Sequence, residues 1–277
     1  MTTREWLTEA TRQLTQAGCH TPRLDADTLL MHAWKISRTN LITRLSDEVP
    51  APVSEHFQAM LARRKQREPV AYITGEKEFW SRPFSVDPHV LIPRPETEHL
   101  IETVLEHFPD HHASLRFCDI GTGSGCIPVT LACEYPEAHI VATDISTEAL
   151  TIARGNAMRH HVADRIDFLQ GDMLEPLKRE APFHAIVSNP PYVSKSEYDK
   201  LETELGFEPR NALTDESDGL CFLQTLVTES PRFLLPQGLL IVETGLCGLP
   251  GANTEMEFSG EIRDLAGMLR GGIYRRN

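Results

Sequence analysis

Over the first 74 residues apolar positions recur at three- and four-residue steps: Trp6, Leu7, Ala10, Leu14 and Ala17, then Leu24, Leu29, Leu30, Ala33 and Trp34. That period lays an apolar stripe along one face of a helix, so residues 1–74 predict a small helical bundle. Pro50 and Pro52 interrupt the pattern before a further amphipathic stretch carrying Phe57, Met60 and Leu61. The basic run Arg63-Arg64-Lys65-Gln66-Arg67 closes it and is expected to be a solvated helix face. From residue 75 to 95 the period is lost, and Pro83, Pro88, Pro93 and Pro95 punctuate short extended pieces such as Val90-Leu91-Ile92, which predicts a linker or hairpin.

Beyond residue 96 two periods alternate. A helix is predicted over Thr97–Phe108, a strand over Leu115–Ile120, a helix over Cys126–Tyr135, a strand over His139–Thr143 and a helix over Thr147–His160. Strands follow at Arg165–Gln170 and His184–Ser188, then a helix around Leu220–Leu234 and a strand at Leu239–Glu243. Such alternation predicts an α/β fold, a doubly wound, mostly parallel sheet covered by helices, over residues 96–277.

Composition narrows the function. The chain has 277 residues, 40% of them hydrophobic and 24% charged, and a net charge of -13. No run approaches the ~18 consecutive apolar residues of a membrane span, and the N-terminus leads into no signal-like apolar region. A cytoplasmic protein with no membrane association is expected. The acidic balance removes the electrostatic attraction on which most nucleic-acid binders depend, so a protein partner is expected instead. The six cysteines form no CxxC pair and are expected to be reduced and buried. His107, His111 and His112 are spaced as helical metal ligands could be, but Pro109 breaks that helix and a solvated loop is expected.

The first strand of the alternating region runs into Asp119-Ile120-Gly121-Thr122-Gly123-Ser124-Gly125 and then a helix. Glycines at such a turn let a nucleotide-like ligand approach the backbone. The next strand ends at Asp144, nineteen residues past Gly125, where a carboxylate can accept from both hydroxyls of a ribose. The glycines read GxGxG, with Cys126 where a dinucleotide fingerprint would continue. This form resembles the class I methyltransferases, Rossmann-like proteins that use S-adenosyl-L-methionine, and the resemblance puts Gly121, Thr122, Gly123, Ser124 and Gly125 against the cofactor. It also implies that Asp172 and Met173, which follow the third strand, lie at the adenine.

The fourth strand delivers Asn189-Pro190-Pro191-Tyr192. An amide nitrogen is a poor nucleophile, because its lone pair is delocalised, and it carries two hydrogens. The Asn189 side-chain oxygen and the Pro190 carbonyl can accept one each, orienting the nitrogen and offsetting the charge that builds as it attacks a methyl group. Pro191 stiffens the loop and Tyr192 would supply a packing wall. A sulfonium already makes the methyl electrophilic, so neither a covalent nucleophile nor a metal is required.

Asn189-Pro190-Pro191-Tyr192 is similar to the motif of methyltransferases acting on planar nitrogens. Glu78-Phe79-Trp80, Leu91-Ile92-Pro93-Arg94-Pro95-Glu96-Thr97-Glu98 and Phe207-Glu208-Pro209-Arg210-Asn211-Ala212-Leu213 look like signature segments of the release factor glutamine N5-methyltransferases, the HemK or PrmC family. The resemblance implies a monomeric enzyme that methylates the glutamine of the GGQ tripeptide in peptide chain release factors, releases S-adenosyl-L-homocysteine, and uses its N-terminal bundle to dock the partner. It departs from the family after Glu243-Thr244-Gly245-Leu246, where a full helix is replaced by Cys247–Ser259, rich in glycine and proline, which puts the last sheet edge in doubt.

Other readings stay open at this point. A glutamine methyltransferase of a ribosomal protein would carry the same motifs. A DNA adenine methyltransferase shares the NPPY chemistry but needs a basic groove and a target-recognition domain. A nicotinamide-dependent dehydrogenase fits the glycine loop and Asp144 but not NPPY, and a vestigial, non-catalytic docking module would leave these motifs without use.

Overall fold

The computed structural model describes residues 1–180 and 182–277. They form two compact units, one of residues 1–76 with 202–207, the other of residues 77–201 with 208–277.

The first unit is helical: α1 (Thr3–Gln16), α2 (Pro22–Trp34), α3 (Arg38–Thr43), α4 (Ala51–Lys65) and α5 (Val70–Thr74). Thr2 caps α1 in a reciprocal pairing with Glu5, and Leu7, Ala10 and Leu14 turn inward to meet Leu29, Leu30 and Phe57. Pro50 and Pro52 lie at the start of α4, where a missing N–H costs nothing. The basic run that closes α4 departs from expectation. Arg64 is buried: its Nε donates to Asp25 at 2.8 Å and its other arm to Glu204 at 3.1 Å, while Arg67 also grips Glu204. A guanidinium leaves water only where carboxylates meet it, and Asp25 comes from α2 and Glu204 from far along the chain, beyond the reach of local pattern.

The second unit takes in all but the first residue of the hairpin of β1 (Glu76–Phe79) and β2 (Arg82–Ser85), followed by α6 (Glu98–His107). The alternating region gives β3 (Arg116–Ile120), α7 (Cys126–Glu134), β4 (His139–Asp144), α8 (Thr147–Arg159), β5 (Ile166–Gln170) and β6 (Phe183–Ser188). After a short helix α9 (Lys195–Tyr198) come α10 (Cys221–Glu229), β7 (Leu234–Glu243), β8 (Met256–Arg263) and β9 (Leu269–Arg276). The sheet order is β5-β4-β3-β6-β7-β9-β8, parallel from β5 to β7 and antiparallel through β9 and β8. Alternate residues of each strand enter opposite cores: Phe117, Ile140, Ala142, Val187 and Ile241 pack with α6 and α7, whereas Cys118, Val141, Ile186 and Leu240 pack with α10. A sheet buried on both faces explains why its strands read as unbroken apolar runs.

Two expectations are corrected here. β7 begins at Leu234, because Leu234 pairs with Phe183 and the preceding helix stops at Glu229. The last edge is closed: β9 pairs with β7 from Leu239↔Arg275 to Glu243↔Gly271, and β8 covers β9. The glycine-rich stretch before it forms no helix but is tied down, Tyr274 donating to the Pro250 carbonyl at 2.7 Å and Asn253 to that of Val227 at 3.1 Å. The cysteines are all free thiols, yet only Cys19, Cys118 and Cys126 are buried and Cys221 is exposed. His107 and His111 bond the backbone carbonyls of Thr103 and Glu134, and among the described residues no His, Cys, Asp and Glu cluster could hold a metal ion. No described helix is long and apolar enough to cross a membrane.

Candidate active site

After β5 the chain crosses back to place β6 on the other side of β3, and a crevice opens where the strand order reverses, beyond the strands' carboxyl ends. Ile120 pairs with Ser188, so the loops that follow, beginning at Gly121 and Asn189, emerge side by side. Between them lies a cavity of about 390 Å3. Gly121, Gly123, Asp144, Asp172, Met173, Asn189 and Pro191 all line it.

The glycine loop is fixed by its own backbone. Gly121, Gly123 and Gly125 have φ of +75°, +53° and +79°, and the space beside the first two is open, whereas a side chain on Gly125 would meet Ala153 of α8 at 3.0 Å. The first two therefore serve conformation and leave room for a ligand, and the third also serves helix packing. Asp144 already organises the turn, accepting from the Gly123 N–H at 2.8 Å and the Ser146 N–H at 2.9 Å. Met173 sits in the left-handed region at φ 49°, its carbonyl accepting from Thr143 at 3.3 Å.

Asp119, at the end of β3, is fully buried and neither of its oxygens completes a hydrogen bond. Burial pushes its carboxyl up to about 7, with the Thr122 hydroxyl pulling the other way and the Asp144 charge adding to the rise. An unpaired buried carboxyl is costly. It does not itself line the cavity, and sequence reading assigned it no role although it stands two residues before Gly121.

On the other wall Asn189 Nδ2 donates to Thr97 Oγ1 at 3.0 Å, Thr97 Oγ1 donates to Glu243 Oε2 at 2.7 Å, and the Tyr192 hydroxyl donates to Glu243 Oε1 at 2.8 Å. Thr97 and Glu243 are 2% and 1% exposed. Burial raises the Glu243 carboxyl above the usual carboxylate range, the two hydroxyls opposing it. Sequence reading gave neither residue a role; the signal was Glu243's place at the carboxyl end of β7, where ligands bind. Tyr192 does not itself line the cavity; it packs beside it, its ring over Gly245, whose added Cβ would meet it at 2.7 Å. Pro190 is buried, and neither it nor Thr122, Ser124 or Gly125 lines the cavity. The remaining wall is Pro88 to Leu91, held from Glu208, which accepts from the Ile92 N–H at 3.0 Å and from Arg94 at 2.5 Å.

Five parallel strands closed by an antiparallel hairpin, with a glycine loop and a second motif meeting at the reversal point, make this a class I methyltransferase fold. Residues 5–75 match the family described as PrmC N-terminal domain, and residues 97–220 that described as Methyltransferase small domain. The chain is 42% identical to the release factor glutamine methyltransferase of Nitratidesulfovibrio vulgaris over 98% of this chain and 94% of that protein. It is 41% identical to that of Neisseria gonorrhoeae over 90% and 92% of the two chains, and 42% identical to that of Burkholderia pseudomallei over 86% and 84%. The chain belongs to the release factor glutamine methyltransferase family.

Proposed function

We propose that this protein transfers a methyl group from S-adenosyl-L-methionine to the side-chain amide nitrogen of the GGQ glutamine in peptide chain release factors. The observation that carries the reading is the meeting of Asn189 with the glycine loop and Asp144 on one cavity. The residues fit the cofactor: open space beside Gly121 and Gly123 admits it, Asp144 has acceptor capacity for ribose hydroxyls, and Asp172 and Met173, on the same cavity, would flank the adenine. S-adenosyl-L-methionine, when bound, supplies an electrophilic methyl group.

The chain's own residues orient the acceptor. Asn189 Oδ1 and the Pro190 carbonyl each take one hydrogen of the substrate amide, which aims the nitrogen lone pair and opposes the positive charge that develops on it. Deprotonation follows transfer. The net charge of -13 favours a protein partner over a phosphate backbone, and in this reading the protein acts in the cytoplasm as a monomer, its helical unit contributing to docking. Incubation with isotopically labelled S-adenosyl-L-methionine and a purified release factor, followed by peptide mass spectrometry, should find the label on the GGQ glutamine. Label on another residue, or transfer to DNA instead, would overturn the reading.

A further inference from the structure

The amide of Asn189 can face the cavity in two ways, and only one serves the proposed chemistry. With Oδ1 outward it accepts a substrate hydrogen; flipped, it would present an N–H to a group that is itself a donor. Atom positions alone do not settle which side of an amide is oxygen, so the assignment must come from what the group touches. Here the neighbours decide. Glu243, closed off from water, is met by a hydroxyl on each oxygen, Thr97 at 2.7 Å and Tyr192 at 2.8 Å. These two donors oppose the rise that burial causes and favour the ionised form, which only accepts. Thr97 has one proton, which Glu243 claims, so toward Asn189 its oxygen can only accept. What faces Thr97 at 3.0 Å must then be the Asn189 NH2, and Oδ1 is turned away from it.

We infer that Thr97 and Glu243 are positioning residues for methyl transfer, a buried one-way hydrogen-bond chain that locks the Asn189 amide with its oxygen toward the acceptor. The inference rests on the glutamine methyltransferase reading for its consequence, but the orientation itself does not. Glu243 is anchored from the sheet, as the last residue of β7 paired with Gly271. Thr97 enters from the segment ahead of α6, where the turn Thr97 N–H to Arg94 carbonyl, 3.1 Å, fixes its backbone. The chain thus joins elements 92 and 146 residues apart to one side-chain amide. Tyr192 fills the second oxygen of Glu243 and keeps it from recruiting Thr97 differently, which accounts for a tyrosine that points away from the cavity.

Two measurements test this. In the 15N-labelled protein, with the Asn189 side-chain NH2 signals assigned by their loss in Asn189→Ala, these protons should show nuclear Overhauser contacts to the Thr97 methyl, and Thr97→Val, which removes the acceptor oxygen, should shift them toward the position of an unbonded amide. Absence of that contact in the wild type would overturn the orientation whatever the protein methylates. In single-turnover transfer to a release factor, Thr97→Val should slow the methyl step about 10- to 100-fold with S-adenosyl-L-methionine affinity within about twofold, and Thr97→Ser should recover most of the loss. In an Asn189→Ala background Thr97→Val should slow the step no further, because its effect passes through Asn189. A wild-type rate for Thr97→Val, or losses that multiply in the double variant, would overturn the positioning role. A wild type that transfers no methyl to any glutamine, yet shows the contact, would instead overturn the functional reading and leave the orientation standing.

Discussion

On the wall formed after β3 and β4, the backbone does the holding: glycines with positive φ make the turn, Asp144 ties it at the Gly123 and Ser146 N–H groups, and the carboxyl of Asp119 is left buried and unpaired. On the wall formed after β6 and β7, side chains hold one another, Asn189 to Thr97 to Glu243 to Tyr192, with every link satisfied. The first wall therefore leaves open space beside its glycines and carries, in Asp119, a buried unpaired carboxyl that is a standing cost to the fold. The second is complete before anything binds, so that one polar group is preorganised for a transition state. Cofactor affinity should depend on the first wall and rate on the second.

Four measurements break or sharpen that contrast. The largest effect concerns Asp119. In the folded chain its carboxyl keeps a proton up to about pH 7, while the unfolded chain loses it near the ordinary aspartate value. The folded state thus binds more protons between those values, and its stability falls as pH rises through that window, by up to about 4 kcal/mol. Without cofactor, Asp119→Asn should abolish this slope, and the melting temperatures of variant and wild type should diverge from pH 5 to pH 8. Parallel curves would mean that Asp119 is not a standing cost, and the contrast between the walls would fail there.

Next in size is Asn189→Ala, which should slow single-turnover methyl transfer about a hundredfold, or about 2.7 kcal/mol, while leaving calorimetric affinity for S-adenosyl-L-methionine nearly unchanged. If the variant were instead merely less stable with a normal rate, the second wall would be a rigid turn and nothing more. Asp144→Ala is expected to do the reverse, weakening cofactor binding by about 2 kcal/mol through loss of charge-assisted hydrogen bonds, with the rate at saturating cofactor changed little. Equal affinities for variant and wild type would remove Asp144 from the site. The smallest effect belongs to Gly125→Ala: with φ at +79° and Ala153 at 3.0 Å, the variant should lose about 1 kcal/mol or somewhat more of stability in denaturant unfolding. A neutral outcome would show that the turn, not only the ligand, can adjust.

The first wall was legible because its parts are local. A strand that ends in glycines, and the next strand ending in an acid nineteen residues later, carry their spacing in the sequence, and the short apolar runs placed those strands correctly to within a residue or two. The second wall was half legible. The motif marked Asn189, Pro190 and Tyr192 as candidates, but nothing in NPPY says that the Tyr192 hydroxyl turns to Glu243. In the helical unit Arg64 was misread as solvated, because its carboxylates come from residues 39 and 140 positions away.

What the sequence alone determined, then, was the alternation of strands and helices from β3 to β7, the turn of the glycine loop and a set of candidate groups for a cofactor and an amide, all of which follow from period, backbone freedom and short spacing. What only the tertiary structure decided was which buried polar groups meet. Thr97, Asn189 and Glu243 lie on three separate stretches and become neighbours because β6 crosses to the far side of β3 and β7 pairs beside it. A buried hydroxyl or carboxyl is tolerated only where partners from elsewhere satisfy it, and partnership of that kind has no period along the chain.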